Sequence, residues 1–223
     1  MIAHDVRRLL IEAGVDLAQV VWHDGADAPT GPSHRWIVWS VGDEVVLGGA
    51  DRGRFAAYAR FGDPTLVAEL LLRWIEPQLP PAPRDAETLH GASLAVADLL
   101  VGPEAAAPLQ PGGFLLGGAV PPGAPLDHVG NASGHVLHLY DTALSARSLP
   151  PTDANEPRMG FVLDQVLPDA CQVVRVDPWF GQPGGGVAVV LDRVIAYYVD
   201  HGVLAPFAID AVGAAAAGSD GVE

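Results

Sequence analysis

A chain of 223 residues, 49% of them hydrophobic, has enough apolar material for one large or two small domains around a real core. Acidic residues number 27 against 12 basic ones, and the net charge of −15 excludes a nucleic-acid partner, whose phosphates demand a basic face. All the basic residues are arginine, so Schiff-base chemistry and a P-loop lysine are excluded, and the single cysteine, Cys171, excludes an intrachain disulfide.

The start, Met1-Ile2-Ala3-His4-Asp5-Val6-Arg7-Arg8, lacks the basic and apolar regions of a signal peptide. No segment reaches the roughly 18 apolar residues of a membrane span. The expectation is a soluble protein, cytoplasmic by default, with export by a specialised system as the other route. The bias toward Ala, Gly, Pro, Val and Arg reads as a GC-rich, actinobacterial composition.

In chain order, Val6, Leu9, Leu10 and Ile11 fall at helical spacing over residues 5–13, and Gly14 stands where a cap belongs. Three strands are predicted next, at 17–22, 35–39 and 44–47, punctuated by Asp24-Gly25, Gly31-Pro32 and Gly42-Asp43. Asp63-Pro64-Thr65 opens a helix with Leu66, Val67, Leu70, Leu71, Trp74 and Ile75 on one side. Residues 1–83 thus read as a small α-β-β-β-α accessory module closed by a stiff linker, Gln78-Leu79-Pro80-Pro81-Ala82-Pro83. Residues 84–111 form a linking segment with a helix over 86–100.

From 112 to 210 the pattern is mostly β, with strands predicted at 114–120, 136–140, 160–167, 172–176, 187–191 and 204–209 and a short helix at 192–200. The Ala/Gly-rich, then acidic tail at 211–223 reads as disordered. The fold class is therefore α+β.

The densest chemistry lies at Trp179-Phe180-Gly181-Gln182-Pro183-Gly184-Gly185-Gly186. Its aromatics offer flat surfaces to a ring, Gln182 offers donor and acceptor, and glycines permit a close backbone approach. That composition suits a pocket wall; a tight β-turn carrying an aromatic plug is the alternative. Other features carry less. His135 and His138 lie three apart on a strand, so their rings diverge and no metal site is expected. Cys171 before an apolar strand reads as buried and inert.

Four blocks stand in order: Pro121-Pro122-Gly123-Ala124-Pro125-Leu126-Asp127-His128-Val129-Gly130, Gly134-His135-Val136-Leu137, Arg147-Ser148-Leu149-Pro150-Pro151, and the Trp179 block with Pro178 before it. With Gly202-Val203-Leu204 near the end, residues 112–207 resemble the TNT family, named for the tuberculosis necrotizing toxin, whose known members are NAD(P)+ glycohydrolases. The resemblance implies that Gln182 and Arg147 are the catalytic residues, with Arg147 gripping the pyrophosphate. It also implies that His128, Phe114, Trp179, Phe180, Gly184, Gly185 and Val136 line the substrate pocket. NAD+ or NADP+ would be the substrate, and no metal or resident cofactor is implied. The backbone N–H groups of Gly184 to Gly186 are candidate donors to the ribose or to a water. Glu156 and Asp177 are the carboxylates nearest the matched blocks, and neither is given a role.

At two positions the chain departs from the family pattern. His128 stands where the family has arginine, and Val136 where it has a tyrosine. A protonated His128 would replace part of the missing charge. Three functions follow: an NAD(P)+ glycohydrolase, a degenerate TNT domain that binds a nucleotide or a protein without turnover, and a hydrolase of a related nucleoside or nucleotide. The N-terminal unit, through Arg35-Trp36-Ile37-Val38, Arg52-Gly53-Arg54-Phe55 and Phe61-Gly62-Asp63-Pro64, resembles a small module found in front of toxin domains, which implies docking of a protein partner rather than chemistry.

Overall fold

The computed structural model describes residues 2–31, 34–76, 81–105 and 108–209. The predicted tail at 211–223 and residues 77–80 of the linker lie outside the described residues.

Helix α1 (Ile2–Glu12) turns Val6 and Leu10 inward, and α2 (Pro64–Ile75) turns Val67, Ala68 and Leu71 inward. The start of α2 is set by Asp63, whose carboxylate accepts the Thr65 N–H at 2.8 Å, followed by proline in the first turn. The two helices pack on each other and on a sheet of β1 (Val20–His23), β2 (Trp36–Val41), β3 (Glu44–Asp51) and β4 (Arg54–Phe61). The strands lie in that order, β1 parallel to β2 and the others antiparallel. The module is therefore α-β-β-β-β-α, one strand more than the sequence suggested. The missed strand, β4, is rich in alanine, which has little β-propensity, and the Gly48-Gly49 pair interrupts the pattern before it.

Helix α3 (Ala86–Val101), capped by Asp85 to the Thr88 N–H at 2.8 Å, leads into the second half. There β5 (Phe114–Leu116), β6 (Pro125–Val129), β7 (Val136–Leu139), β8 (Arg158–Leu163), β9 (Gln172–Arg175), β10 (Val187–Val190) and β11 (Leu204–Phe207) form an antiparallel sheet ordered β11-β8-β6-β7-β10-β9-β5. Two short helices, α4 (Leu144–Arg147) and α5 (Ile195–Asp200), complete it. The α+β class holds, with the second half mostly sheet.

Register decides what each face of this sheet does. Phe114, Val174, Ala188, His138 and Asp127 are successive cross-strand partners and share one face with Gln172, Val190 and Val136. The opposite face sends Val173, Val189 and Leu137 into a core with Ile195 and Tyr198 of α5. That core also holds Val6, Leu10, Trp36 and Leu71, so the N-terminal module and the second sheet are packed around one continuous apolar interior. Polar contacts join them too: Asp200 accepts from Tyr58 Oη at 2.8 Å and Trp74 Nε1 at 3.3 Å, and Arg193 donates to Tyr58 O at 2.9 Å.

The two halves approach closely at Gly49, where an added Cβ would stand 2.1 Å from the Ser133 carbonyl oxygen. Gly49→Ala is expected to cost about 1–3 kcal/mol in urea unfolding by forcing the halves apart. A loss under about 0.5 kcal/mol, the scatter of a surface change, would show that the contact can yield.

Among the described residues no helix is long and apolar enough to cross a membrane.

Candidate functional site

Two hairpin tips meet over the polar-lined face of the second sheet. The first joins β3 to β4 through Arg52 (φ 50°) and Gly53 (φ 73°), a two-residue turn with both central residues left-handed. The second is Trp179-Phe180-Gly181-Gln182, with Phe180 at φ 51°, Gly181 at φ 73° and mutual backbone bonds between Trp179 and Gln182. Arginine and phenylalanine are poor residues for this conformation, which favours glycine and asparagine. Such strain gathers where function over-determines the backbone, and Ser148, at φ 49°, lies in the same place.

Between the tips is a cleft of about 440 Å³ lined by Arg52, Arg54, Ser148, Arg175, Asp177 and Trp179, with Gln172, Val174 and Val190 of the sheet as part of its floor. Trp179 and Phe180 stack on each other at 4.3 Å and are 52% and 44% exposed. The Gln182 side chain donates to Leu149 O at 2.8 Å, and its Oε1 is buried without a partner. Arg52 also borders a small enclosed cavity with His34, Asp51, His128, Val136, His138 and Leu149. Arg52 therefore separates the open cleft from the buried polar cluster beneath it. A further cavity of about 340 Å³, beside Trp74, Phe161 and Asp200, contains none of the candidate site residues.

The buried cluster is organised by Asp127, which is fully buried. Both of its oxygens take the Arg147 guanidinium in a two-pronged pair, and Arg158 donates to Oδ2 as well. Arg147 Nε donates to Thr142 O at 2.7 Å, so this side chain, 0% exposed, is consumed inside the fold. The expected grip of Arg147 on a pyrophosphate is not available from this position. Its carbonyl oxygen instead accepts from Arg52 Nη2 at 2.9 Å, and the same guanidinium donates to His138 Nε2 at 3.1 Å.

Burial pushes the pKa of His128, His135 and His138 down, in His138 well down with help from Arg147 and Arg52. His128 donates from Nδ1 to Val136 O at 2.8 Å and leaves Nε2 unpartnered. A neutral His128 does not replace the charge of an arginine, contrary to the expectation of a protonated stand-in. The permanent cation beside it is Arg52, which comes from the other half of the molecule.

The glycine run also differs from expectation. Gly184, Gly185 and Gly186 donate their N–H groups to Ser145 O, Val176 O and Ala146 O, so none points at a ligand. An added Cβ at Gly186 would stand 2.8 Å from Ala146 O, which makes close docking of this strand against α4 the reason for glycine.

Residues 119–207 match the family model TNT, described as tuberculosis necrotizing toxin. The match covers less than half of the chain and contains every residue singled out except Phe114. Among solved structures, the chain is similar to that of the tuberculosis necrotizing toxin complexed with its immunity factor IFT, at 27% identity and a TM-score of 0.34. That similarity covers 37% of this chain, which spans under half, 47%, of the toxin chain. No curated protein matches.

Within the matched segment the structure brings Trp179 and Ser148 to the cleft, places Leu149, Val136 and His128 at the small cavity beneath it, and ties Gln182, which lines neither, to Leu149. Phe114, 57% exposed on β5, shares the face of Val174 but does not border the cleft, whereas its neighbours Gly112 and Gly113 do. Sequence reasoning missed Arg52, Arg54 and Arg175. For the first two a readable signal existed: Asp51-Arg52-Gly53-Arg54 has the form of a two-residue hairpin loop with arginine where asparagine or glycine is usual.

Among the described residues no group of three or more His, Cys, Asp or Glu side chains is placed to hold a metal ion.

Proposed function

We propose that the chain hydrolyses the N-glycosidic bond of NAD+ or NADP+, releasing nicotinamide and ADP-ribose. The observation that carries this reading is the cleft lined by Arg52, Arg54 and Arg175 together with the Trp179 tip, to which the segment that matches TNT contributes Arg175 and Trp179. Its size suits part of a dinucleotide, its cations suit the diphosphate, and its exposed aromatic pair offers a flat surface for a ring.

The chemistry asks little of a strong acid. Nicotinamide leaves NAD+ as a neutral molecule, taking the bonding electron pair; water adds to the cationic ribose carbon and loses a proton to solvent. The protein's share is to hold the diphosphate and ribose still and to strip water from the nicotinamide face. Gln182 serves twice in this scheme. Its amide N–H fixes the aromatic tip to Leu149, and its unpartnered Oε1 accepts from a ribose hydroxyl or from the attacking water.

A second reading, nucleotide binding without turnover, is favoured by His128 and Val136, a neutral imidazole and an aliphatic side chain where the resemblance calls for arginine and tyrosine. Nicotinamide release from NAD+ and from NADP+, followed by chromatography, separates the two. The hydrolase reading expects release by the full chain and a fall of about a hundredfold in Gln182→Ala, the scale of a lost oriented polar contact in a transition state. Stabilisation of the chain by NAD+ with no release supports the binder instead.

A further inference from the structure

The N-terminal module is half of an anion site. We propose that Arg52 and Arg54 of the β3–β4 hairpin, together with Arg175 of β9 in the lining of the same cleft, bind the diphosphate group of a dinucleotide. The identity of the dinucleotide rests on the reading above; the diphosphate site does not.

In a chain of net charge −15, three of the 12 basic residues line one cleft. Like charges gathered this way repel, and a protein normally answers them with carboxylates. Here none is supplied: among the described residues no carboxylate lies within ion-pairing distance of the three guanidiniums, although five other arginines each have one. The Arg54 guanidinium makes no hydrogen bond among the described residues, and the one the Arg175 guanidinium makes is long, 3.4 Å, to Gly185 O. Asp177 borders the cleft without pairing with any of them. Asp51 and Asp153 offset part of the charge of Arg52, while Arg54 and Arg175 have no ion-pair partner among the described residues.

A second observation points the same way. Ser148 borders the cleft, is 1% exposed, and its Oγ has no hydrogen-bond partner. A buried hydroxyl left unsatisfied beside unpaired guanidiniums is what an absent acceptor-rich ligand leaves behind. Phosphate oxygens supply charge for the arginines and an acceptor for the hydroxyl together.

Arg52 is also held ready. Its bonds to His138 Nε2 and to the Arg147 carbonyl use one nitrogen, Nη2, so the fork is oriented with other N–H groups to spare. The same hairpin carries a register shift between Leu47 and Gly48, where a bulge bends and twists a strand pair. The hairpin thus places a cation beside His128, where the resemblance calls for an arginine, whereas Arg147 and Arg158 of the second half are paired with Asp127.

The test is calorimetric titration of the full chain with inorganic pyrophosphate, alongside nicotinamide release from NAD+. The expected result is pyrophosphate binding weakened tenfold or more in Arg54→Ala and in Arg175→Ala, the range for one lost charge-assisted contact. Arg8→Ala, on the surface of α1, should leave it within twofold. Arg54 is exposed, so its variant should melt with the wild type; Arg52→Lys, which keeps charge and loses the fork, should weaken binding while still folding. No pyrophosphate binding by the full chain, or binding that Arg54→Ala and Arg175→Ala leave within twofold, overturns the assignment. Arg54-dependent binding without nicotinamide release sinks the hydrolase reading and leaves the site standing. Release with an unchanged KM in Arg54→Ala does the reverse.

Discussion

Asp127→Ala should lower the unfolding free energy by about 3–5 kcal/mol, among the largest losses any single change in this chain would give. The carboxylate and the Arg147 guanidinium are both 0% exposed, so deleting one leaves the other charged, dry and unpaired. The penalty is mostly that stranded charge rather than the worth of the pair itself. Arg158→Ala should cost much less, because Arg158 is 33% exposed and water takes over its role. Urea unfolding of the two variants at pH 7.5 checks this, and equal losses, or a loss below 1 kcal/mol (roughly the average point mutant) in Asp127→Ala, would falsify it. Activity should fall with stability. Asp127 fixes Arg147, whose carbonyl holds Arg52, and the chain two residues on, at Leu149, holds Gln182.

How much of this was legible in the sequence depends on where the partners lie. Helix α2 announced itself through Asp63-Pro64 and a clean apolar stripe, since capping and periodicity are local. Strands β7, β9 and β10 were equally visible as short apolar runs between turn residues. Strand β6 was not read as a strand. Asp127 and His128 look like surface residues until Arg147, Arg158 and Val136 are folded against them. Strand β4 was hidden by its alanines.

The site divides in the same way. The blocks of the TNT segment located Gln182 and Trp179, but a block shows a residue's neighbours in sequence, not what its side chain faces. Arg147 illustrates the gap: it was read as a phosphate ligand and lies fully buried on Asp127. Arg52 illustrates the converse, for its contact to Arg147 spans 95 positions and begins in the module assigned to docking. The glycine run was correctly singled out as a close approach, and the atoms approached are Ala146 O and Val176 O rather than a ligand.

Stability should fall as pH drops from 7 toward 5. His128, His135 and His138 all have their pKa lowered, with burial as the leading cause. The folded chain therefore keeps these rings neutral at a pH where the unfolded chain, with ordinary values near about 6.5, takes up protons. Protons bound by the unfolded state alone favour unfolding, so the loss begins as pH falls through the unfolded value and continues until the folded value is reached. Each ring contributes a slope of up to about 1.4 kcal/mol per pH unit. Above pH 7.5 the three contribute nothing, because both states are neutral. His138→Gln isolates one ring: its amide oxygen still accepts from Arg52 Nη2, and it does not titrate. Urea unfolding at pH 7.5, 6.5 and 5.5 should give a shallower fall for this variant than for the wild type. Parallel falls would mean that His138 takes up its proton in the folded state, and then the ring could not accept from Arg52. The neutral ring and the oriented guanidinium stand or fall together, so acid should loosen the hairpin from the second sheet.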